Sequence, residues 1–278
     1  MKINQLQQRD AETHKGDYGR ALLIGGSEGM SGAISLAGMA ALRSGAGLVT
    51  LAIPSDILPI VAGHEPSYMT LPLPARKGHL AGPCNSLESA AQAASCIGCG
   101  PGLGRTEGTE EVVRWLIRER SCPILIDADA LRLLDQGELE QAKGKPTLLA
   151  TPHPGEFRAM IGCTETNRQK LESLAQQWAA NYRAVIVLKG HRSFISDGQQ
   201  SVHNNTGNPG MASGGSGDVL SGILVAFIGQ GMSPYEATVE AVRIHGMAGD
   251  LAAAELGQMS TIASDLIRYL PKALQQGL

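Results

Sequence analysis

Chemistry is most concentrated in one short stretch, Gly214-Gly215-Ser216-Gly217-Asp218, which leads without a break into the apolar run Val219 to Ile228. A helix that starts here leaves its first backbone N–H groups without partners and carries about half a positive charge at that end. Glycines at 214, 215 and 217 let those N–H groups turn towards one anion, because no Cβ stands in the way. Asp218 falls in the first turn, beside the same anion. Amides that hold a migrating phosphoryl group, next to a carboxylate that takes a hydroxyl proton, make a site for phosphoryl transfer to an alcohol. The plainer alternative is a tight turn in which Asp218 only complements the helix dipole. Neither a P-loop Gly-x-x-x-x-Gly-Lys-Ser/Thr nor a Gly-x-Gly-x-x-Gly after a strand occurs, so the two commonest nucleotide fingerprints are absent.

Three further stretches carry groups that could serve such a site. Lys189-Gly190-His191-Arg192-Ser193 follows the most strand-like run, Ala184 to Leu188, which puts Lys189 at a strand end where it meets a nucleotide phosphate or simply solvent. Pro152-His153-Pro154-Gly155-Glu156-Phe157 follows another strand, Pro146 to Thr151. Pro154 suits the first turn of a helix and places Glu156 in that turn. There Glu156 either complements the dipole or orders magnesium-bound water, with His153 contacting ligand. Asp127-Ala128-Asp129-Ala130-Leu131 ends a third strand, Pro123 to Ile126. Asp129 is read as a helix N-cap. Asp127, still on the strand end, lies where open α/β sheets place their ligands.

These groups need a scaffold that brings strand ends together. Ala21 to Gly25, Leu48 to Ile53 and Ser95 to Gly98 are short unalternating apolar runs, as expected of strands buried on both faces. Helices are expected over 33–44, 55–62, 86–94, 109–118, 167–182, 234–255 and 261–270, with a short strand at 68–71 inside an irregular segment 66–83. Gly25 to Gly32 is a second glycine-rich turn, and Cys99 to Gly104 is a loop able to wrap a ligand closely. Phe194 to Ser196 and Gln200 to His203, joined through Asp197-Gly198, form a hairpin. Alternating strands and helices up to residue 200, with helices after it, predict an α/β fold in one domain: a mostly parallel sheet with helices on both faces.

Composition narrows the partners. Hydrophobic residues make up 43% of 278, enough for a sizeable core, while 4% aromatics and 35 glycines say that small aliphatic side chains build it. A formal charge of −3 points to neither nucleic acid nor a membrane surface. Met1 to Lys15 is polar and lacks a signal-peptide core. No apolar run approaches the ~20 residues that span a bilayer, so a cytoplasmic protein is expected. Cysteines 84, 96, 99, 122 and 163 are odd in number, and Cys96-Ile97-Gly98-Cys99 has no second pair to complete a zinc site, so reduced thiols are expected.

The chain also resembles a known family. His14 to Arg20, Gly25-Gly26-Ser27, Gly100-Pro101-Gly102-Leu103-Gly104, Asp127 to Leu131, His153 to Phe157, Lys189-Gly190 and Asn205-Thr206-Gly207-Asn208-Pro209-Gly210-Met211-Ala212 are together similar to the ADP/ATP-dependent NAD(P)H-hydrate dehydratases of the ribokinase-like superfamily. One departure is Ser216, where a threonine is common. The resemblance implies a ribokinase-like three-layer fold and a reaction that restores NADH or NADPH from the S-epimer of its C6 hydrate (NADHX or NADPHX). ADP or ATP, with magnesium, phosphorylates the 6-hydroxyl, and the phosphate then leaves. It implies Asp218 as the base, amides of Gly215, Ser216 and Gly217 on the phosphoryl group, and Lys189, Gly190, His191, Arg192, Ser193 and Gly217 on the nucleotide. Ala40, Gly102, His153 and Asp218 would face the hydrate, and Glu156 the magnesium through water. It further implies a homotetramer, no fused epimerase domain over 1–278, and a separate epimerase for the other hydrate. A small-alcohol kinase of the same fold, such as a hydroxyethylthiazole kinase, is the alternative, and a catalytically silent nucleotide sensor is another.

Overall fold

The computed structural model describes residues 9–134, 136–141, 143, 145 and 147–277. Residues 1–8 of the polar start, and Pro146 of an expected strand, lie outside them. The described strands run β1 (Arg20–Ile24), β2 (Leu48–Pro54), β3 (Met69–Leu73), β4 (Ala75–Arg76), β5 (His79–Leu80), β6 (Cys96–Cys99), β7 (Ile124–Ile126), β8 (Leu148–Ala150), β9 (Val185–Leu188), β10 (Phe194–Ser196) and β11 (Ser201–His203). All but β4 and β5 form one sheet in the order β11-β10-β9-β8-β7-β6-β1-β2-β3. From β3 to β9 every pairing is parallel, and β10 and β11 close one edge antiparallel.

The unalternating runs are explained by two cores, one on each face. Ala21 and Leu23 of β1 point into one, and Leu22 and Ile24 into the other. The first core is covered by α1 (Ser31–Arg43), α2 (Leu58–Ala62), α8 (Ser216–Gly229), α9 (Pro234–Leu256) and α10 (Ala263–Gln276). The second is covered by α3 (Asn85–Ala93), α4 (Glu107–Glu119), α5 (Gln136–Gln141), α6 (Pro154–Ile161) and α7 (Arg168–Tyr182). The result is a three-layer α/β fold with a mostly parallel central sheet, as the alternation predicts.

α8 is apolar all round because it is sandwiched: Val219, Leu220 and Ile223 to Ile228 are all buried. Gly222 lets it lie against α1, for a Cβ there would run into the Ala37 carbonyl and Ala40.

Several elements differ from the reading above: α5 and a 3-10 turn at Lys15–Tyr18 are additional to it, and Ser55–Ile57 is a 3-10 turn ahead of α2. The segment 66–83 contains the hairpin β4–β5, whose turn is made by Lys77 and Gly78 at φ 51° and 72°. Two-residue strands are too short to show a period. α10 continues to Gln276 through Pro271, because its apolar face (Leu266, Ile267, Leu270, Ala273) stays packed past the proline.

Candidate active site

Three adjacent parallel strands, β7, β8 and β9, end against the start of α8. Each delivers a polar group as it leaves the sheet: Asp127 after β7, His153 and Glu156 after β8, and Lys189 after β9. Lys189 Nζ donates to Asp127 Oδ1 at 3.0 Å and lies 3.8 Å from Glu156 Oε2. Ser221, one turn into α8, donates to Asp127 Oδ2 at 2.7 Å. A Cβ on Gly217 would sit 3.5 Å from the Lys189 ammonium, so the lysine lies directly under the first turn of α8. Gly215 caps that helix at φ 91°, a left-handed geometry that glycine adopts without strain. No backbone hydrogen bond among the described residues takes up the N–H of Gly217 or Asp218. Free amides, helix dipole and ammonium thus favour an anion at this point.

The charges around that point shift one another. Burial alone would raise the Asp127 pKa, but the Lys189 ammonium and the Ser221 hydroxyl outweigh it and hold the carboxyl below its ordinary range. Burial alone would lower Lys189, but Asp127 and then Glu156 raise it, so it stays charged. Asp218 is pushed up to about 7, first by burial and then by the Asp127 charge, with Lys189 opposing. A carboxyl that ionises near neutral pH is suited to accept a proton from an alcohol.

A cleft of about 650 Å³ opens from this point. Its walls are His153 and residues 189–193 on one side, and Asn204, residues 206–209 and 211–213, Ser216 and Gly217 on the other. Leu220, Val242, His245 and Gly246 close it. Its lining combines polar groups with apolar ones such as Pro209, Met211, Leu220 and Val242, a combination that suits a nucleotide's phosphates and base. Burial pushes the His245 pKa down to about 4, so its ring is neutral, and its Nε2–H donates to the Ser216 carbonyl at 2.9 Å.

The structure gathers most of the expected residues and relocates some. Lys189 to Ser193, Ser216 and Gly217 share the cleft, and His153, expected on the hydrate side, lines it too. Gly102 is packed against Met30 and Ala33 at the start of α1, and its carbonyl accepts from Ser27 Oγ. Ala40, on α1, is fully buried against α8, so its side chain is a packing group with no open face. Asp129 does not cap a helix. The N-cap position falls two residues earlier, on Asp127, and Asp129 sits inside the 3-10 turn Ala128–Leu133 with its carboxylate accepting from the Gly104 N–H. Of the two roles weighed for Glu156, the structure shows the one at the helix start. Its Oε2 accepts from the His153 N–H at 2.7 Å, closing a capping box on α6, while the same carboxylate faces Lys189.

Among the described residues no group of three or more His, Cys, Asp or Glu is placed to hold a metal by itself. Glu156, whose carboxylate is partly engaged by the His153 N–H and faces Lys189, fits an ion that brings its waters and nucleotide phosphates with it. Sequence reasoning missed Ser221, His245 and Arg168. Arg168 donates to the carbonyls of Leu188 and Lys189 and pairs with Glu172, which also meets His203, so it braces the end of β9. Only the Arg168–Glu172 spacing of four on a helix was visible beforehand.

The sequence profile of the NAD(P)H-hydrate dehydratase family matches residues 21–272. A bifunctional NAD(P)H-hydrate repair enzyme from Moorella thermoacetica is 42% identical across 98% of this chain and 52% of its own length. The ADP-dependent (S)-NAD(P)H-hydrate dehydratase of Bacillus subtilis is 35% identical, covering 96% of this chain and 93% of that one. The crystal structure of an ADP/ATP-dependent NAD(P)H-hydrate dehydratase from Bacillus subtilis, co-crystallised with ATP and Mg2+, superposes at a TM-score of 0.82 and 31% identity over 99% of this chain and 96% of that one. Arabidopsis thaliana ribokinase superposes at 0.60 with 10% identity, covering 91% of this chain and 98% of that one, a likeness of fold alone. The chain therefore spans about half the length of the bifunctional relative and nearly all of the dehydratase.

Proposed function

Because this chain belongs to the NAD(P)H-hydrate dehydratase family, we propose that it restores NAD(P)H from the S-epimer of the C6 hydrate at the expense of ADP. The observation that supports this reading is the meeting of the Lys189 ammonium and the free Gly217 amide in a nucleotide-sized cleft, with Asp218 next in the helix and in the field of Asp127 and Lys189. Asp218 takes the proton of the 6-hydroxyl as that oxygen attacks the terminal phosphorus of ADP, and the bond from that phosphorus to AMP breaks. Amides of Gly215 and Gly217, with that of Ser216 exchanging its 3.4 Å bond to the Ser213 carbonyl, hold the phosphoryl oxygens through the transfer. Lys189 keeps a fixed positive charge beside them, and residues 190–193 line the nucleotide. Phosphate then leaves C6 with the C–O electron pair while the ring nitrogen supplies electrons, and loss of a proton from C5 restores the dihydronicotinamide. Hydroxide is a poor leaving group and phosphate a good one, which is why a nucleotide is consumed.

Magnesium bound on the nucleotide phosphates would neutralise charge, with Glu156 ordering its water. Gly102 and His153 are assigned to the hydrate, while Ala40 supports that side only by packing. The reading includes ATP as an alternative donor, a homotetramer in the cytoplasm, and a functional link to an epimerase that interconverts the two hydrates. Incubation with hydrated NADH, magnesium and either nucleotide tests it. Return of dihydronicotinamide absorbance with release of inorganic phosphate is expected. A stable phosphorylated product would instead identify a kinase, and no nucleotide turnover would identify a sensor.

A further inference from the structure

One wall of the cleft, 204–211, is an irregular loop that has to hold its shape without a sheet or helix of its own, apart from the 3-10 turn Pro209–Met211. The helix behind it is made to fit it. A side chain at Gly246 would collide with Thr206, and one at Gly249 with the Met211 sulfur. Thr206 Oγ1 donates to the Arg243 carbonyl at 2.8 Å. Asp250 then grips the loop with both oxygens: Oδ2 accepts from the Gly207 N–H and Oδ1 from the Asn208 side-chain amide, each at 2.9 Å. Asn208 passes the constraint on, since its own Oδ1 accepts from the Gly210 N–H at 2.9 Å and starts the 3-10 turn. Positions 243, 246, 249 and 250 share one face of α9 at three- and four-residue spacing. Asp250 itself is not among the residues lining the cleft.

We propose that Asp250 is a positioning residue for the nucleotide: its carboxylate sets the loop 204–211 in the shape that receives ADP, without touching the ligand. This rests on the reading of the cleft as the nucleotide site. The carboxylate is the only group type that can accept from both donors at once, since an amide in its place offers one acceptor and turns an N–H towards the other donor. Hydrogen bonds to a charged group are the stronger kind, so their loss should be visible in binding.

The test measures ADP binding by calorimetry, and steady-state constants for ADP and hydrate, on the wild type, Asp250→Asn, Asp250→Ala, Asn208→Ala and the double alanine variant. For Asp250→Ala the dissociation constant and KM for ADP should rise about tenfold or more. The KM for the hydrate and kcat should stay within about threefold of wild type. Asp250→Asn should fall between, and the double variant should be no worse than the worse single one, because both act through one loop. The idea fails if ADP binding is unchanged, if the loss spreads equally over kcat and both KM values, or if the two single effects multiply. Should Asp250→Ala not fold, Asp250→Asn, which keeps the size of the side chain, carries the same expectation in smaller degree and the same failure. Wild-type chain that does not bind ADP at all would overturn the nucleotide reading itself, not only the role of Asp250.

Discussion

At the scale of single residues, Asp218 and Lys189 separate a working site from a decorated helix start. Asp218→Asn keeps size and shape but cannot accept a proton, and general-base catalysis is typically worth about 10²–10⁴-fold, so kcat should fall by at least about a hundredfold while ADP still binds. A variant that binds ADP and turns over at the wild-type rate would remove Asp218 from the mechanism. The acid limb of wild-type activity should lie near pH 7, because Asp218 works only when ionised and its pKa is about 7. The stability effect has the opposite sense. A carboxyl whose folded pKa lies above its ordinary value stabilises the fold fully at pH below that ordinary value, and the benefit is lost as pH rises through the folded pKa. Asparagine mimics the protonated form, so its thermal advantage over wild type should grow up to about pH 7 and vanish in acid. Lys189→Ala makes a different demand. It strands Asp127, which is buried, and breaking a buried pair costs about 3–5 kcal/mol. A solvated lysine would cost less than about 0.5 kcal/mol. A urea midpoint close to wild type would therefore contradict the ion pair, and Asp127→Asn combined with Lys189→Ala should recover much of the loss.

At the scale of elements, α8 links the anion point to the core. Its first turn makes the site, and the next turns carry Ser221 to Asp127 and Gly222 to α1. Packing errors in the middle of the helix must therefore be felt at its start. Gly222→Ala places a methyl against the Ala37 carbonyl and Ala40 Cβ, and overpacking of this kind costs about 1–3 kcal/mol. Helix propensity works in the other direction, favouring alanine over glycine by about 1 kcal/mol. Thermal denaturation decides between them: a lower melting temperature is expected, and a higher one would show that α1 and α8 are not in close contact there.

At the scale of the whole molecule, the sheet with its two covered faces is held by packing and hydrogen bonds without covalent cross-links among the described residues. All five cysteines are free thiols. Cys96, Cys99 and Cys122 are buried, and burial pushes the Cys99 thiol up to about 12 and Cys122 up to about 11. A thiol reagent at neutral pH should therefore label Cys84 and Cys163 in the native chain and reach the other three only after denaturation. Reducing agent should leave the unfolding midpoint where it is. Rapid labelling of Cys99 in the native protein would contradict its place in the centre of the sheet. Among the described residues no helix is long and apolar enough to cross a membrane.

The sequence by itself determined what depends on neighbours along the chain. The unalternating runs at 21–25 and 184–188 meant strands covered on both faces, because a strand with one wet face must alternate. The glycine turn before Val219 to Ile228 meant a helix start with free amides, and Pro154 marked the start of α6. Tertiary structure alone decided what depends on which strand ends lie side by side. Asp127 and Lys189 are 62 residues apart in the chain, and only the order β7-β8-β9 brings them within 3.0 Å. The pKa of Asp218 follows from that meeting and from burial, neither of which a local pattern encodes. Ala40 and Asp129 show the converse: the resemblance offered one for a ligand face and local spacing suited the other to a cap, but the close approach of α1 and α8 buried the first side chain, and the Gly104 amide claimed the second.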